Sequence, residues 1–175
     1  MSTPADQSSS GQDDTDRPRA LVAALLCLVV LTISGAVGLA TAQPWLFPSL
    51  GPTVMLFFTA PKQHASRPMN ALVGHLVAII VGYGCFLAFG LAGSTAAPTG
   101  GLTLGYVAAG AVSVALTTLV LQLIRLPHPP AGATTLIVSL GILSEPLQLL
   151  DMAGAVLLVT VAGWALNRVT SNGQS

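Results

Sequence analysis

The sequence is short of charge. Only 7% of its residues are Asp, Glu, Lys or Arg, six basic and six acidic, where a soluble domain carries about a quarter. Ala20 to Pro61 holds no charged side chain, and neither does Pro68 to Ile124. So few charges cannot cover the surface of a soluble fold of 175 residues. The formal net charge is zero, which leaves no basic footprint for nucleic acid. Cysteine is scarce too. Cys27 and Cys85 both sit inside apolar runs, which excludes a disulfide framework and a thiolate metal site and marks both as buried packing residues. The 18 Gly and 12 Pro follow no fixed period, which excludes a collagen-like chain. There is no phosphate loop, nucleophile elbow or metal-ligand cluster. An enzyme is therefore not expected, nor a cofactor, a metal or transport powered by the chain's own ATP hydrolysis.

What is abundant is apolar: 53% of the residues are hydrophobic and the mean hydropathy is +0.78. A small polytopic membrane protein follows, with the lipid bilayer as its first partner. Residues 1–19 are polar and expected to be a disordered tail. Ala40-Thr41-Ala42 looks like a signal cleavage site, but the preceding apolar run is too long for a signal peptide and reads as a retained span. Four runs are long enough to cross a bilayer, which takes about 20 residues: Ala20–Ala42, Asn70–Ala92, Gly101–Ile124 and Leu149–Asn167. Two shorter runs, Phe47–Ala60 and Pro129–Leu143, each follow a proline-rich lead, Pro44-Trp45-Leu46-Phe47-Pro48 and Pro127-His128-Pro129-Pro130. Proline fixes φ and removes a donor, so each lead is expected to be extended and a half-helix to start after it.

The positive-inside rule counts the crossings. If both leads with their half-helices cross, there are six crossings and both termini are cytoplasmic. Arg17, Arg19, Lys62, Arg67, Arg125 and Arg168 then share one side, with Glu145 and Asp151 on the other. If the short runs are re-entrant, there are four crossings and Lys62, Arg67 and Arg125 move outside. The first arrangement satisfies the rule with every basic residue. It implies a multi-pass protein of a cell (inner) membrane.

The chain also repeats. Pro48-Ser49-Leu50-Gly51-Pro52-Thr53 resembles Pro129-Pro130-Ala131-Gly132-Ala133-Thr134, and each stretch lies between two long helices. Repeat one spans about 20–92, repeat two about 101–168, and 169–175 is a short tail. Three crossings per unit is odd, so the second unit runs inverted. The expected fold is an all-α integral membrane bundle of four long helices and two half-helices in two inverted three-segment repeats. Both half-helix N-termini would face the centre. Each offers unpaired amides and about half a positive charge, together an anion site without a buried cation.

The candidate residues follow. Ser49, Thr53, Thr134 and Thr135 lie in the first turns of the half-helices, where hydroxyls cap amides or contact an anion. Gly51 and Gly132 permit close backbone approach. His128 sits in the second lead; its imidazole either contacts an anion, takes a proton near physiological pH or satisfies a carbonyl freed by proline. His75 is an ionisable group within a span, a functional candidate by default. It shares a small-residue face with Ala71, Ala78 and Gly82 suited to packing on a broken helix. Arg125 either lines an inner vestibule or snorkels. Gly101 with Gly105, and Ser34 with Gly38, form small-xxx-small steps for packing within a subunit or in a homo-oligomer.

At Leu126-Pro127-His128-Pro129-Pro130-Ala131-Gly132-Ala133-Thr134-Thr135 the chain resembles the HPP family of integral membrane proteins, named for the stretch that is here His128-Pro129-Pro130. Ser49-Leu50-Gly51-Pro52-Thr53, Ala60-Pro61, Pro68 with Asn70, and Gly74-His75 match in order, so the resemblance covers roughly Arg19 to Asn167. Some plant and cyanobacterial members are linked to nitrite transport. The resemblance thus implies a permease for a small inorganic anion, nitrite foremost. Relatives commonly read Gln-Pro-Arg-Asn where this chain has Arg67-Pro68-Met69-Asn70, so a role of that family arginine does not transfer. The other function classes are a non-transporting scaffold, a sensor subunit and an anion channel.

Overall fold

A computed structural model describes residues 10–172. Residues 1–9 and 173–175 of the expected tails lie outside the described residues. Seven α-helices follow in chain order: α1 (Ser10–Thr41), α2 (Leu50–Thr59), α3 (Pro68–Ala88), α4 (Ala97–Gly100), α5 (Leu104–Leu123), α6 (Ala131–Ser139) and α7 (Pro146–Asn172), with a 3₁₀ turn at His64–Ser66. Four are long and apolar enough to span a membrane: α1, α3, α5 and α7. The all-helical bundle of four long and two short helices is as the hydropathy pattern predicts. α1 starts ten residues before Ala20, at Ser10, inside the stretch expected to be disordered. Once the apolar run is helical, each further residue adds a bond without a new nucleation step.

The helix ends have local causes. α3 stops at Ala88, short of the apolar run's end, because Gly90 turns left-handed at φ 68°. Gly90 N–H then donates to Leu87 O and Leu91 N–H to Phe86 O, the paired closure of a Schellman end. α6 ends the same way at Gly141, φ 73°, with bonds to Val138 O and Ile137 O. Gly101, at φ 88°, lies before α5 begins. The expected Gly101–Gly105 helical step therefore does not exist. Ahead of α7, Gln148 Oε1 accepts from the amides of Ser144 and Glu145.

The first lead folds back along α1. Ser34 Oγ donates to Trp45 O at 2.6 Å, and a Cβ on Gly38 would stand 2.8 Å from Gln43 O. The small step on α1 thus receives the chain's own lead. α2 continues in the same direction, so that Phe57 to Lys62 face Arg19, Val22 and Leu26 near the start of α1. Lead plus α2 therefore spans the bundle. The second lead begins at that same end, where Asn70 Nδ2 donates to Pro127 O at 3.0 Å, and α6 runs the opposite way to α2 alongside α3. The main chain passes through the bundle six times. Arg19, Lys62, Arg67 and Arg168 gather at one end, around a cleft of about 970 Å³.

The packing pairs are α1 on α2 and α5 on α6, α3 on α6 and α7 on α2, α3 on α5 and α7 on α1, with α3 against α7 between them. Exchanging α1, α2 and α3 for α5, α6 and α7 maps this set onto itself. The largest apolar core lies among α1, α2 and α7, with Leu50, Val54, Phe57, Met152, Val156 and Val159 buried in it. Leu21, Leu25, Leu28, Leu123 and Ile80 stay exposed on the outside, the belt a lipid-facing surface requires. Cys85 is buried as expected, while Cys27 is half-buried and packed against that core.

Candidate functional site

α3 presents Ala71, His75, Ala78 and Gly82 on one buried face, and this face packs on α6 as the sequence suggests. The approach is close enough to need glycine. A Cβ on Gly74 would stand 2.8 Å from His128 Cβ, and one on Gly82 would stand 2.9 Å from Thr135 O. Both lead and half-helix are thereby drawn against α3.

His75 is fully buried where the two half-helix starts meet. Its Nε2 lies 2.8 Å from Thr53 Oγ1 of α2. Its Nδ1 lies 2.7 Å from Thr134 Oγ1 of α6. The two threonines that correspond in the repeat thus take opposite nitrogens of one imidazole. Thr53 Oγ1 also lies 3.0 Å from Ser49 O and 3.3 Å from His128 Nε2. His128 Nδ1 donates to Ala65 O at 2.9 Å, which satisfies a loop carbonyl. The two rings stand edge to face, 5.0 Å apart. Behind them Thr135 donates to Ala131 O and meets Thr117 at 3.1 Å.

Most of the expected site residues are therefore brought together: Thr53, His75, His128 and Thr134 in one bonded cluster, with Thr135 one step away. Ser49 is buried at the start of α2 with no partner for its hydroxyl. Arg125 is not part of the cluster. It is exposed past the end of α5, in a left-handed turn at φ 58°, which carries it away from the lead that begins two residues on. Gly51 and Gly132 are also placed otherwise than expected, since a Cβ on either would meet nothing within 4 Å. No close approach by the protein demands glycine there.

The unpaired amides expected at α6 are in use. Pro130 is already helical, at φ −58° and ψ −23°, because the φ that proline imposes suits a helix as well as an extended chain. The amides of Ala131, Gly132 and Ala133 therefore close on His128, Pro129 and Pro130 carbonyls at 3.0–3.2 Å. Ser49 is likewise helical at the start of α2, where Leu50 N–H closes on Phe47 O at 2.9 Å, so neither lead is extended up to its helix. The polar side chains that meet between the two half-helices are hydroxyls and imidazoles.

Two residues of the site were not read as such from the sequence. Asn70 bridges the second lead and His64, through Nδ2 to Pro127 O and to His64 Nδ1 at 3.2 Å. Its match to the family pattern was the available signal. Thr117 lies mid-way in an apolar run, and nothing in its neighbours marks it. On the other flank of His75, a groove of about 370 Å³ between α3 and α7 is walled by Leu72, Ile79, Ala153 and Leu157.

A buried polar cluster held between two oppositely directed half-helices, inside a ring of apolar spans, defines a multi-pass integral membrane protein with broken helices at its centre. The family model for the HPP transmembrane region matches residues 12–175, and the chain belongs to the HPP family. No curated protein and no solved structure matches it.

Proposed function

We propose that this protein is a permease for a small inorganic anion, nitrite being the leading candidate. The observation that carries the reading is the convergence of Thr53 and Thr134, one from each half-helix, on His75. Polar and ionisable groups are costly at membrane depth and persist where a substrate or ion must pass. Irregular backbone at that depth belongs against protein or a cavity, and both leads are covered by α1, α3 and α7. Ser49 offers an unpartnered hydroxyl, and Thr53, Thr134, Thr135, His75 and His128 would turn O–H and N–H donors to the anion in exchange for their present partners, with Gly51 and Gly132 leaving space beside each half-helix. Arg19, Lys62, Arg67 and Arg168 around the wide cleft raise the local anion concentration by their field.

The symmetric set of packing pairs supports two inverted repeats, an architecture that carriers use for alternating access. The basic end is then cytoplasmic, both termini with it, in a bacterial-type inner membrane. Nitrite uptake into proteoliposomes is the test. Folded protein that moves neither nitrite nor similar anions overturns the reading. Counterflow of labelled anion against excess internal anion is expected of a carrier and absent from a channel.

A further inference from the structure

The hydrogen bonds of the cluster admit a definite direction. Ala65 O can only accept, so His128 Nδ1 carries a proton. In neutral His128 the other nitrogen, Nε2, then accepts, and its near partner is the Thr53 hydroxyl. If Thr53 donates to His128, its oxygen accepts from His75 Nε2–H. His75 Nδ1 is left as an acceptor for Thr134 O–H. In this arrangement every donor from Thr134 to Ala65 is placed. Ala65 O fixes the His128 tautomer, and the direction of the Thr53 bond, which competes with Ser49 O at 3.0 Å, sets that of His75.

The same atoms also accommodate one extra proton. A charged His128 donates from Nε2 to Thr53. Thr53 then turns its own proton to Ser49 O, 3.0 Å away, while its oxygen still accepts from His75 Nε2–H and Thr134 O–H still donates to His75 Nδ1. A charged His75 instead donates from both nitrogens, Nε2–H to Thr53 and Nδ1–H to Thr134, while Thr53 O–H stays on His128 Nε2. Either ring thus holds the extra proton with no change of tautomer in the other.

We propose that His128, Thr53 and His75 form a proton site that carries one proton with each monovalent anion. This rests on the permease reading above. An imidazolium alone at this depth is costly, and so is an anion alone. Together they are neutral, so each stabilises the other. Proton entry lies at the basic end, where Ala65 is half-exposed and His64, Lys62 and Arg67 beside it are exposed. The titratable groups of the pair face each other. From the elements packed on them come Thr53 of α2 with Ser49 just ahead of it, Asn70 of α3, which leads to His64, and Thr134 of α6. Arg125, two residues before the second lead, is exposed and turned away from the pair.

The test uses the full chain in proteoliposomes, with protein-free vesicles subtracted because nitrous acid crosses lipid unaided. With the membrane potential clamped at zero, an acid-outside gradient of one pH unit is expected to drive nitrite to about a tenfold accumulation, the equilibrium for one proton per anion. An imposed potential alone is expected to drive none. Thr53→Val is expected to lower the pH-driven rate about tenfold or more, the loss of one hydrogen bond to a charged group, and Thr53→Ser to restore it. Flux driven by voltage and indifferent to the pH gradient overturns the proton site and leaves the permease standing. No flux at all overturns both. A second readout needs no flux. The chain has three histidines, so ¹⁵N-histidine spectra resolve each ring. On acidification with nitrite present, one of the two buried rings is expected to become imidazolium. Both rings staying neutral throughout the acidification also overturns the proposal.

Discussion

Two contacts in the molecule use one device with different chemistry. α3 holds the second lead and α6 through Gly74 and Gly82; α7 holds the first lead and α2 through Gly154 and Gly163. A Cβ on Gly154 would meet the Trp45 ring at 3.1 Å, and one on Gly163 the Phe57 ring at 2.6 Å. On the α3 side the neighbours are instead His128 Cβ and the Thr135 backbone. Glycine admits a lead in both places, but an aromatic lead is packed and a histidine lead is hydrogen-bonded. The polar machinery is thus concentrated on α3 and α6, and α2 adds a single threonine to it. α7 contributes an apolar wall and one tie, Asn167 Nδ2 to Phe57 O at 3.0 Å.

The comparison can be broken at its most rigid point. Gly82→Val places two methyl groups against backbone that cannot yield. It is expected to destabilise the bundle by about 3 kcal/mol or more, read as a lower thermal midpoint in detergent and poor recovery of folded protein. His75→Ala removes the bridge between Thr53 and Thr134. Nitrite flux is expected to vanish, with stability reduced by about 1–3 kcal/mol as two hydroxyls lose their partner. Wild-type flux in that variant would return His75 to a structural role.

Smaller effects sharpen the contrast. Gly154→Ala presses only on the edge of the Trp45 ring, whereas Gly74→Ala presses on a buried Cβ next to the backbone. The α7 substitution is expected to cost less than the α3 one, about 1 kcal/mol against about 2 kcal/mol, in paired denaturation curves. Equal losses would mean that the two contacts are equally rigid. The mildest changes are Gly51→Ala and Gly132→Ala, which gain about 0.5–1 kcal/mol of helix preference and meet no protein atom. If they lower flux without lowering stability, the space beside each half-helix belongs to the substrate.

Much of this was legible in the chain. The spans follow from hydropathy, and the six passes from where six basic residues fall. The broken helices follow from proline before a short apolar run. Thr53 and Thr134 stand out because they correspond in the repeat. Their meeting on one imidazole was not legible, since it depends on how deep α3 sits between α2 and α6. Arg125 misled by adjacency: it is close to His128 in sequence, but a left-handed residue turns it outward. The amides of α6 misled through proline, whose fixed φ is shared by extended chain and helix. Asn70, marked only by its match to the family pattern, and Thr117, marked by nothing, carry their meaning in partners 57 and 18 residues away.

The Asn167–Phe57 tie has a consequence for how the protein is made. The partners of α6 on α3 are all synthesised before α6 itself, so the second broken helix enters the membrane beside a finished cradle. α2 has no such benefit. Its cover, α7, leaves the ribosome after α3, α5 and α6, 110 residues after Phe57. Until then Phe57 and the first lead must be sheltered by α1 alone, through Ser34 and Gly38. The early half of the molecule thus waits on the late half for its cover.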